Sequence, residues 1–167
     1  MIYPKSTTPL EGDLLTPLIF TEVIPDRIEA GTYIIIGALC GNPLKVDNII
    51  PEHVDALLSK LDEIGVDMEI GADYVIVSKP EKYKATSLKT AVYPGFATDL
   101  QQVMATFLTQ CNGKSIIEET IYENRFQNVP YLNKMGANIE IKGKKIKVKG
   151  PSKLKGKKVT ATDLRAG

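Results

Sequence analysis

Two cysteines, a single histidine, nearly balanced charge and no apolar run of membrane length exclude several classes of protein at the outset. Cys40 and Cys111 lie 71 positions apart (111 − 40), and neither belongs to a CxxC or Cys/His cluster. A zinc centre or a thioredoxin-like redox pair is therefore not indicated. Both are expected to be largely buried free thiols, since unpaired cysteine behaves as a small hydrophobe. The longest apolar runs, such as Tyr33 to Cys40, fall far short of the ~20 residues a membrane helix needs. Met1-Ile2-Tyr3-Pro4-Lys5 also lacks the hydrophobic region of a signal peptide. A cytoplasmic protein with no membrane association is expected. Lys and Arg number 21 against 20 for Asp and Glu, so the whole-chain field attracts neither nucleic acid nor anionic lipid, and any anion site must be local. No Gly-rich phosphate loop, nucleophile elbow or metal-ligand spacing occurs.

What is present is an ordinary globular composition, 43% hydrophobic and 25% charged over 167 residues. A chain of this size buries roughly 70% of the surface of its unfolded form, enough for a core without staples. Residues 1–22 are expected to be a linker or a loosely packed leading strand, because Ser6-Thr7-Thr8-Pro9 and Glu11-Gly12-Asp13 are turn formers.

An internal repeat organises residues 23–167, read as a single incomplete domain. Shifting the chain by 71 positions lays Glu63-Ile64-Gly65-Val66-Asp67-Met68-Glu69-Ile70 on Lys134-Met135-Gly136-Ala137-Asn138-Ile139-Glu140-Ile141, and Cys40 on Cys111. A duplicated supersecondary unit produces such a period. The units run from about 24 to 80 and from about 94 to 150. In the first, Asp26 is a good N-cap and Glu29 has capping-box spacing before an apolar helix expected to be mostly buried. Gly41-Asn42-Pro43 stops that helix, 44–50 reads as a strand, and Pro51 opens an amphipathic helix with Val54, Leu57, Leu58, Leu61 and Ile64 on one face. Gly65 is its stop, and two short strands turn at Gly71-Ala72-Asp73.

The second unit predicts helix over 98–110, strand over 115–121, helix near 125–135, and a hairpin turning at Lys142-Gly143-Lys144 with its lysines facing water. The basic stretch 142–158 lacks interleaved aromatics, so it reads as a solvated strand face rather than a nucleic-acid surface. A third unit starts near 158, with a strand over 158–161 and a helix opening at Thr162-Asp163-Leu164-Arg165. A helix cut at its first turn has no stable face to bury, so the domain reads as truncated.

Asp26, Asp99 and Asp163 fall at predicted helix starts, where each is either a plain N-cap or part of an anion site built on free N–H groups. Arg27, Arg125 and Arg165 lie beside helix starts too, and the guanidinium fork suits a carboxylate or phosphate. Gly95 allows a tight turn before the second unit's helix, so that Asp99 can face a cleft and serve as a general base toward a hydroxyl.

In order, Pro25-Asp26-Arg27-Ile28-Glu29-Ala30-Gly31-Thr32, Phe96-Ala97-Thr98-Asp99-Leu100-Gln101, Glu119-Thr120-Ile121-Tyr122-Glu123-Asn124-Arg125-Phe126, Met135-Gly136-Ala137 and Thr162-Asp163-Leu164-Arg165-Ala166-Gly167 resemble successive signatures of the UDP-N-acetylglucosamine 1-carboxyvinyltransferase family. The resemblance runs from about Val23 to the end and favours that family over the related shikimate-pathway enolpyruvyl transferases. It implies an α/β fold, part of an inside-out α/β barrel domain built from repeated βαβαββ-like units, with the active site in a cleft between two such domains. It further implies transfer of enolpyruvyl from phosphoenolpyruvate to the 3-hydroxyl of UDP-N-acetylglucosamine in peptidoglycan synthesis, with no cofactor and no metal. By the same resemblance Asp99 is the general base and a sugar contact, and Ile121 lines the sugar-nucleotide site. Arg125 and Arg165 bind the phosphoenolpyruvate carboxylate, Asp163 sits at the reacting centre, and Arg27 belongs to a substrate-binding motif.

The family's opening lysine–asparagine pair, its cysteine-bearing mobile loop and its last active-site arginine have no counterpart here. A cleft with one wall loses the positioning and water exclusion that transfer requires, so the chain alone is expected to lack turnover. Two other readings stand beside it: a noncatalytic module that binds the sugar nucleotide, and a structural partner that completes its barrel by self-association.

Overall fold

The computed structural model describes residues 23–160. The expected leading segment 1–22 lies outside the described residues, as do Asp163 and Arg165. Helix α1 (Arg27–Cys40) begins where expected: the Asp26 carboxylate accepts the Ile28 N–H at 2.7 Å and the Glu29 N–H at 3.4 Å. These are two of the free donors at a helix start. Strand β1 (Leu44–Asp47), a 3-10 turn (Pro51–Val54), helix α2 (Asp55–Ile64) and strands β2 (Asp67–Ile70) and β3 (Tyr74–Ser78) complete the first unit. Its sheet is antiparallel in the order β1-β3-β2. The 3, 4 spacing of α2 buries Leu57, Leu58, Leu61 and Ile64, and the helix stops at Gly65, whose φ of 94° suits a residue without a side chain.

The second unit contains β4 (Ser87–Lys89), a 3-10 turn (Thr98–Leu100), α3 (Gln101–Leu108), β5 (Gly113–Glu118), α4 (Val129–Lys134), β6 (Ile139–Lys142) and β7 (Lys145–Gly150). Its sheet runs β4-β5-β7-β6. Removing β4 leaves β5-β7-β6, the arrangement of β1-β3-β2, so the 71-residue sequence repeat is also a repeat of topology. Strand β4 lies parallel to β5, and a parallel neighbour requires a crossover, which α3 provides. Counting β4, the second unit reads βαβαββ.

Helix α1 packs on β1 and β3, α3 packs on β5 and β7, and the two helices pack on each other. The core is continuous across both units, from Ile34, Ile35 and Leu61 to Met104, Phe107 and Ile146.

Several expectations change. Helix α1 buries Ala30, Ile34, Ile35 and Ala38, but Tyr33 and Ile36 are 51% and 44% exposed, because its partners cover only part of its circumference. Cys40 is exposed and only Cys111 is buried. The strand expected over 115–121 ends at Glu118, and the helix expected near 125 starts at Val129, leaving 119–128 as a loop. Residues 158–160, expected to be a strand, have no regular secondary structure. Among the described residues no helix is long and apolar enough to cross a membrane.

Candidate functional site

The parallel pairing of β4 with β5 ends at Lys89 opposite Glu118, which brings the next residues of both strands side by side. The Thr90 N–H donates to the Glu118 carbonyl at 2.9 Å. The Thr120 N–H donates to Thr90 Oγ1 at 2.9 Å, and the Thr120 hydroxyl donates to the Thr90 carbonyl at 2.6 Å. Glu119 points inward between them and is 2% exposed. Its carboxylate accepts from the Thr90 hydroxyl at 2.8 Å, the Thr98 hydroxyl at 2.9 Å, the Ile121 N–H at 2.8 Å and the Tyr122 N–H at 3.1 Å. Burying a carboxylate is costly unless its lone pairs are satisfied; here four donors converge on it.

The loop beyond Glu119 turns at Asn124, whose φ of 56° is a conformation asparagine tolerates better than most residues. The turn sends Arg125 back into the protein. Its side chain is 5% exposed, and Nη2 donates to Asp99 Oδ1 at 2.5 Å. The guanidinium carbon lies 5.0 Å from the centre of the Tyr122 ring, a cation–π distance. The side chain of Asp99 is 48% exposed, so one end of the pair is dry and the other faces solvent. Nε and Nη1 of Arg125 are buried and have no partner among the described residues. Guanidinium offers five N–H donors, and the spare ones suit a planar anion.

Asp99 is not a helix cap. It lies inside the 3-10 turn ahead of α3; the N-cap position of that turn is Ala97 and that of α3 is Leu100. The approach to that turn needs glycine at 95: its N–H donates to the Val92 carbonyl at 2.8 Å, and a Cβ there would stand 2.6 Å from the Cβ of Ala91. Ile121 is 38% exposed on the loop that leads to Arg125. Arg27 is placed elsewhere, with its guanidinium 5.1 Å from the centre of the Tyr93 ring, and His53 meets the same ring edge-on at 6.1 Å. The structure thus brings Asp99, Arg125 and the Ile121 loop together and sets Arg27 against Tyr93.

Two contributors escaped sequence reasoning. Strand β4 is three residues long with one apolar side chain, too short for a period to register. Glu119 stands at the head of a recognised motif, but nothing in its local sequence marks it as buried. The loop also lines a cleft of about 420 Å³, with Phe126, Ile141 and Lys144 on its walls. Burial pushes the Cys111 thiol up to about 12, so it stays protonated and unreactive near neutral pH. No cluster of His, Cys, Asp or Glu suited to a metal ion occurs among the described residues.

Comparison with known proteins shows the family and the fold. Residues 10–167 match the family model of EPSP synthase (3-phosphoshikimate 1-carboxyvinyltransferase). UDP-N-acetylglucosamine 1-carboxyvinyltransferase 2 of Geobacillus kaustophilus is 50% identical over 145 residues, covering 87% of this chain and 34% of that protein. The enzyme of the same name from Streptococcus pyogenes serotype M18 is 49% identical over 146 residues, covering 87% of this chain and 35% of its own length. The chain therefore spans about a third of the length of these relatives. Among solved structures, the enolpyruvyl transferase NikO from Streptomyces tendae has a TM-score of 0.74 at 28% identity, over 86% of this chain and 35% of that one. EPSP synthase from Acinetobacter baumannii has a TM-score of 0.64 at 16% identity, over 87% of this chain and 35% of that one, a likeness of fold alone. With the family model covering nearly all of it, a repeated unit of the same fold and two relatives at about half identity, this chain belongs to the EPSP synthase (3-phosphoshikimate 1-carboxyvinyltransferase) family of enolpyruvyl transferases.

Proposed function

We propose that this chain supplies one wall of the substrate site of a UDP-N-acetylglucosamine enolpyruvyl transferase, which serves peptidoglycan synthesis in the cytoplasm. The observation that carries this reading is the Asp99–Arg125 pair, a half-exposed carboxylate held by a buried arginine with two unpartnered nitrogens. Arg125 turns its spare donors to the carboxylate of phosphoenolpyruvate. Asp99 meets the sugar 3-hydroxyl and takes its proton as the oxygen bonds to the enolpyruvyl carbon; the bond from that carbon to the phosphate oxygen breaks and phosphate leaves. Ile121 offers apolar surface to the sugar nucleotide. Arg165 joins Arg125 on the phosphoenolpyruvate carboxylate and Asp163 stands at the reacting centre, while Arg27 contributes from a separate cluster. The two repeats belong to an inside-out barrel whose third unit and facing domain complete the cleft. Water exclusion and positioning need both walls of the cleft, so these 167 residues assayed by themselves are expected to bind substrate without turning it over.

Calorimetric titration of phosphoenolpyruvate and UDP-N-acetylglucosamine into the purified chain, alongside a phosphate-release assay, tests the proposal. The expected result is weak phosphoenolpyruvate binding that Arg125→Ala removes, with no phosphate released. Binding that survives Arg125→Ala unchanged, or no saturable binding at all, rejects the site. Phosphate release abolished by Asp99→Asn would keep the site and overturn the inactivity of the single chain.

A further inference from the structure

We propose that Glu119 is a positioning residue, which sets the separation and orientation of Asp99 and Arg125 without touching substrate. The inference deepens the function proposed above and rests on reading those two residues as substrate groups.

The geometry is that of a clamp. Four hydrogen bonds reach the Glu119 carboxylate from three segments: Thr90 after β4, Thr98 immediately before Asp99, and the amides of Ile121 and Tyr122 on the way to Arg125. Tyr122 in turn lies against the Arg125 guanidinium. One side chain thus fixes the turn that carries Asp99 and the loop that carries Arg125. A shift in either would separate Asp99 from Arg125 Nη2.

The first repeat shows that the scaffold itself does not require this group. At the position 71 residues earlier (119 − 71 = 48) stands Asn48, which is exposed, and the chain there enters the 3-10 turn and α2 almost at once. Among the described residues, the one buried carboxylate is in the unit where 119–128 is a loop rather than helix. No lysine or arginine forms an ion pair with Glu119 among the described residues, so neutral donors alone offset its burial. An ionised carboxylate has about four lone-pair sites, matching the four donors.

Glutamine can reproduce most of this arrangement. Its oxygen accepts the two backbone amides while its nitrogen donates to a threonine hydroxyl, which can rotate to accept. Alanine reproduces none of it.

The test uses the full chain and two readouts. In ¹⁵N NMR, Glu119→Ala is expected to speed hydrogen exchange at the Ile121 and Tyr122 amides and to broaden or shift the Arg125 Nε–H signal, whereas Glu119→Gln restores both. The Ile139 amide, which donates to Asn133 Oδ1 at 2.9 Å, reports that the rest of the unit stays folded. In phosphoenolpyruvate titrations, Glu119→Ala is expected to weaken binding by at least roughly tenfold, with Glu119→Gln within about threefold of wild type, because small displacements of positioned groups are costly. If Glu119→Ala does not fold, Thr98→Val removes one bond of the clamp at nearly constant volume and is expected to alter the Arg125 signal and weaken binding a few-fold. A folded Glu119→Ala or Thr98→Val protein with unchanged Arg125 signal and unchanged affinity overturns the proposal, even if its melting temperature falls. Absence of phosphoenolpyruvate binding by the wild-type chain rejects the proposed function instead, and the NMR comparison still decides whether Glu119 positions Arg125.

Discussion

The two repeats share one plan and differ where chemistry is placed. Position by position, 71 residues apart, Ile28 corresponds to Asp99, Val54 to Arg125, Asn48 to Glu119 and Ala30 to Gln101. Ile28 and Val54 of the first repeat line the same small cavity, with Leu57 and Leu100 beside them, and Val54 is 4% exposed. In the second, the corresponding positions hold the ion pair. The helical stretch differs as well. Residues 51–64 run as a 3-10 turn and α2, whereas in the equivalent segment 122–135 only Val129–Lys134 is helical and the preceding residues form the loop that returns Arg125. Gln101 is fully buried with both amide atoms unpartnered among the described residues, where the first repeat has alanine. A unit optimised for packing and a unit that gives up packing for polar groups thus stand side by side on one core. Residues held for function commonly carry such a stability cost.

The largest expected consequence is in the cores of the second helices. Leu61 is fully buried on the continuous helix and its counterpart Leu132 is 8% exposed on the short one. Leu61→Ala should cost about 4 kcal/mol and Leu132→Ala about 2 kcal/mol in denaturant unfolding, within the range for core truncations. Equal costs would show that both helices are packed alike and would break the comparison.

Next comes the ion pair. Asp99→Ala leaves a nearly dry guanidinium without its carboxylate and should destabilise by about 2 kcal/mol, less than for a fully buried pair because Asp99 faces solvent. The double change Asp99→Ile with Arg125→Val installs the residues of the first repeat. It should be neutral or stabilising by about 1 kcal/mol, with phosphoenolpyruvate binding lost. A double variant as unstable as Asp99→Ala would mean that the loop at 119–128 cannot accept apolar packing.

The smallest effect is electrostatic and belongs to the first repeat. The carboxyl of Glu63 is held below its ordinary value of 4.5, first by the hydrogen bond from Lys60 at 2.7 Å and then by that from Thr86. Its counterpart in the second repeat is Lys134. A lowered folded-state value means that the contribution is present above pH 4.5 and is lost as pH falls through that lower value. The group is 46% exposed, so the contribution is a few tenths of a kcal/mol. Acid titration of stability should be slightly shallower in Glu63→Gln than in wild type. An identical slope would remove Glu63 from the account.

Much of the fold was legible because its signals are local. Asp26 caps α1, Gly65 and Gly136 adopt positive φ after the second helices, and the apolar/charged alternation of β6 and β7 forms the expected hairpin. The misses share a cause. Tyr33, Ile36 and Cys40 belong to an apolar run, but which face of a helix is covered depends on distant partners. Strand β4 exists because β5 offers it an edge, not because Ser87-Leu88-Lys89 has strong strand character. In the candidate site, Asp99, Ile121 and Arg125 were singled out from motifs, and the structure places them around one loop; Arg27, singled out in the same way, stands apart against Tyr93.

By itself the sequence determined the repeat, the helix starts and stops, the amphipathic faces and family membership, since each is written in residue spacing and identity. Only the tertiary structure decided that Thr90, Thr98 and the 121–122 amides converge on Glu119, and that Arg125 meets Asp99 with donors to spare. Burial and hydrogen-bond geometry arise between segments remote in the chain. No local pattern specifies how a parallel strand and a returning loop will enclose a carboxylate.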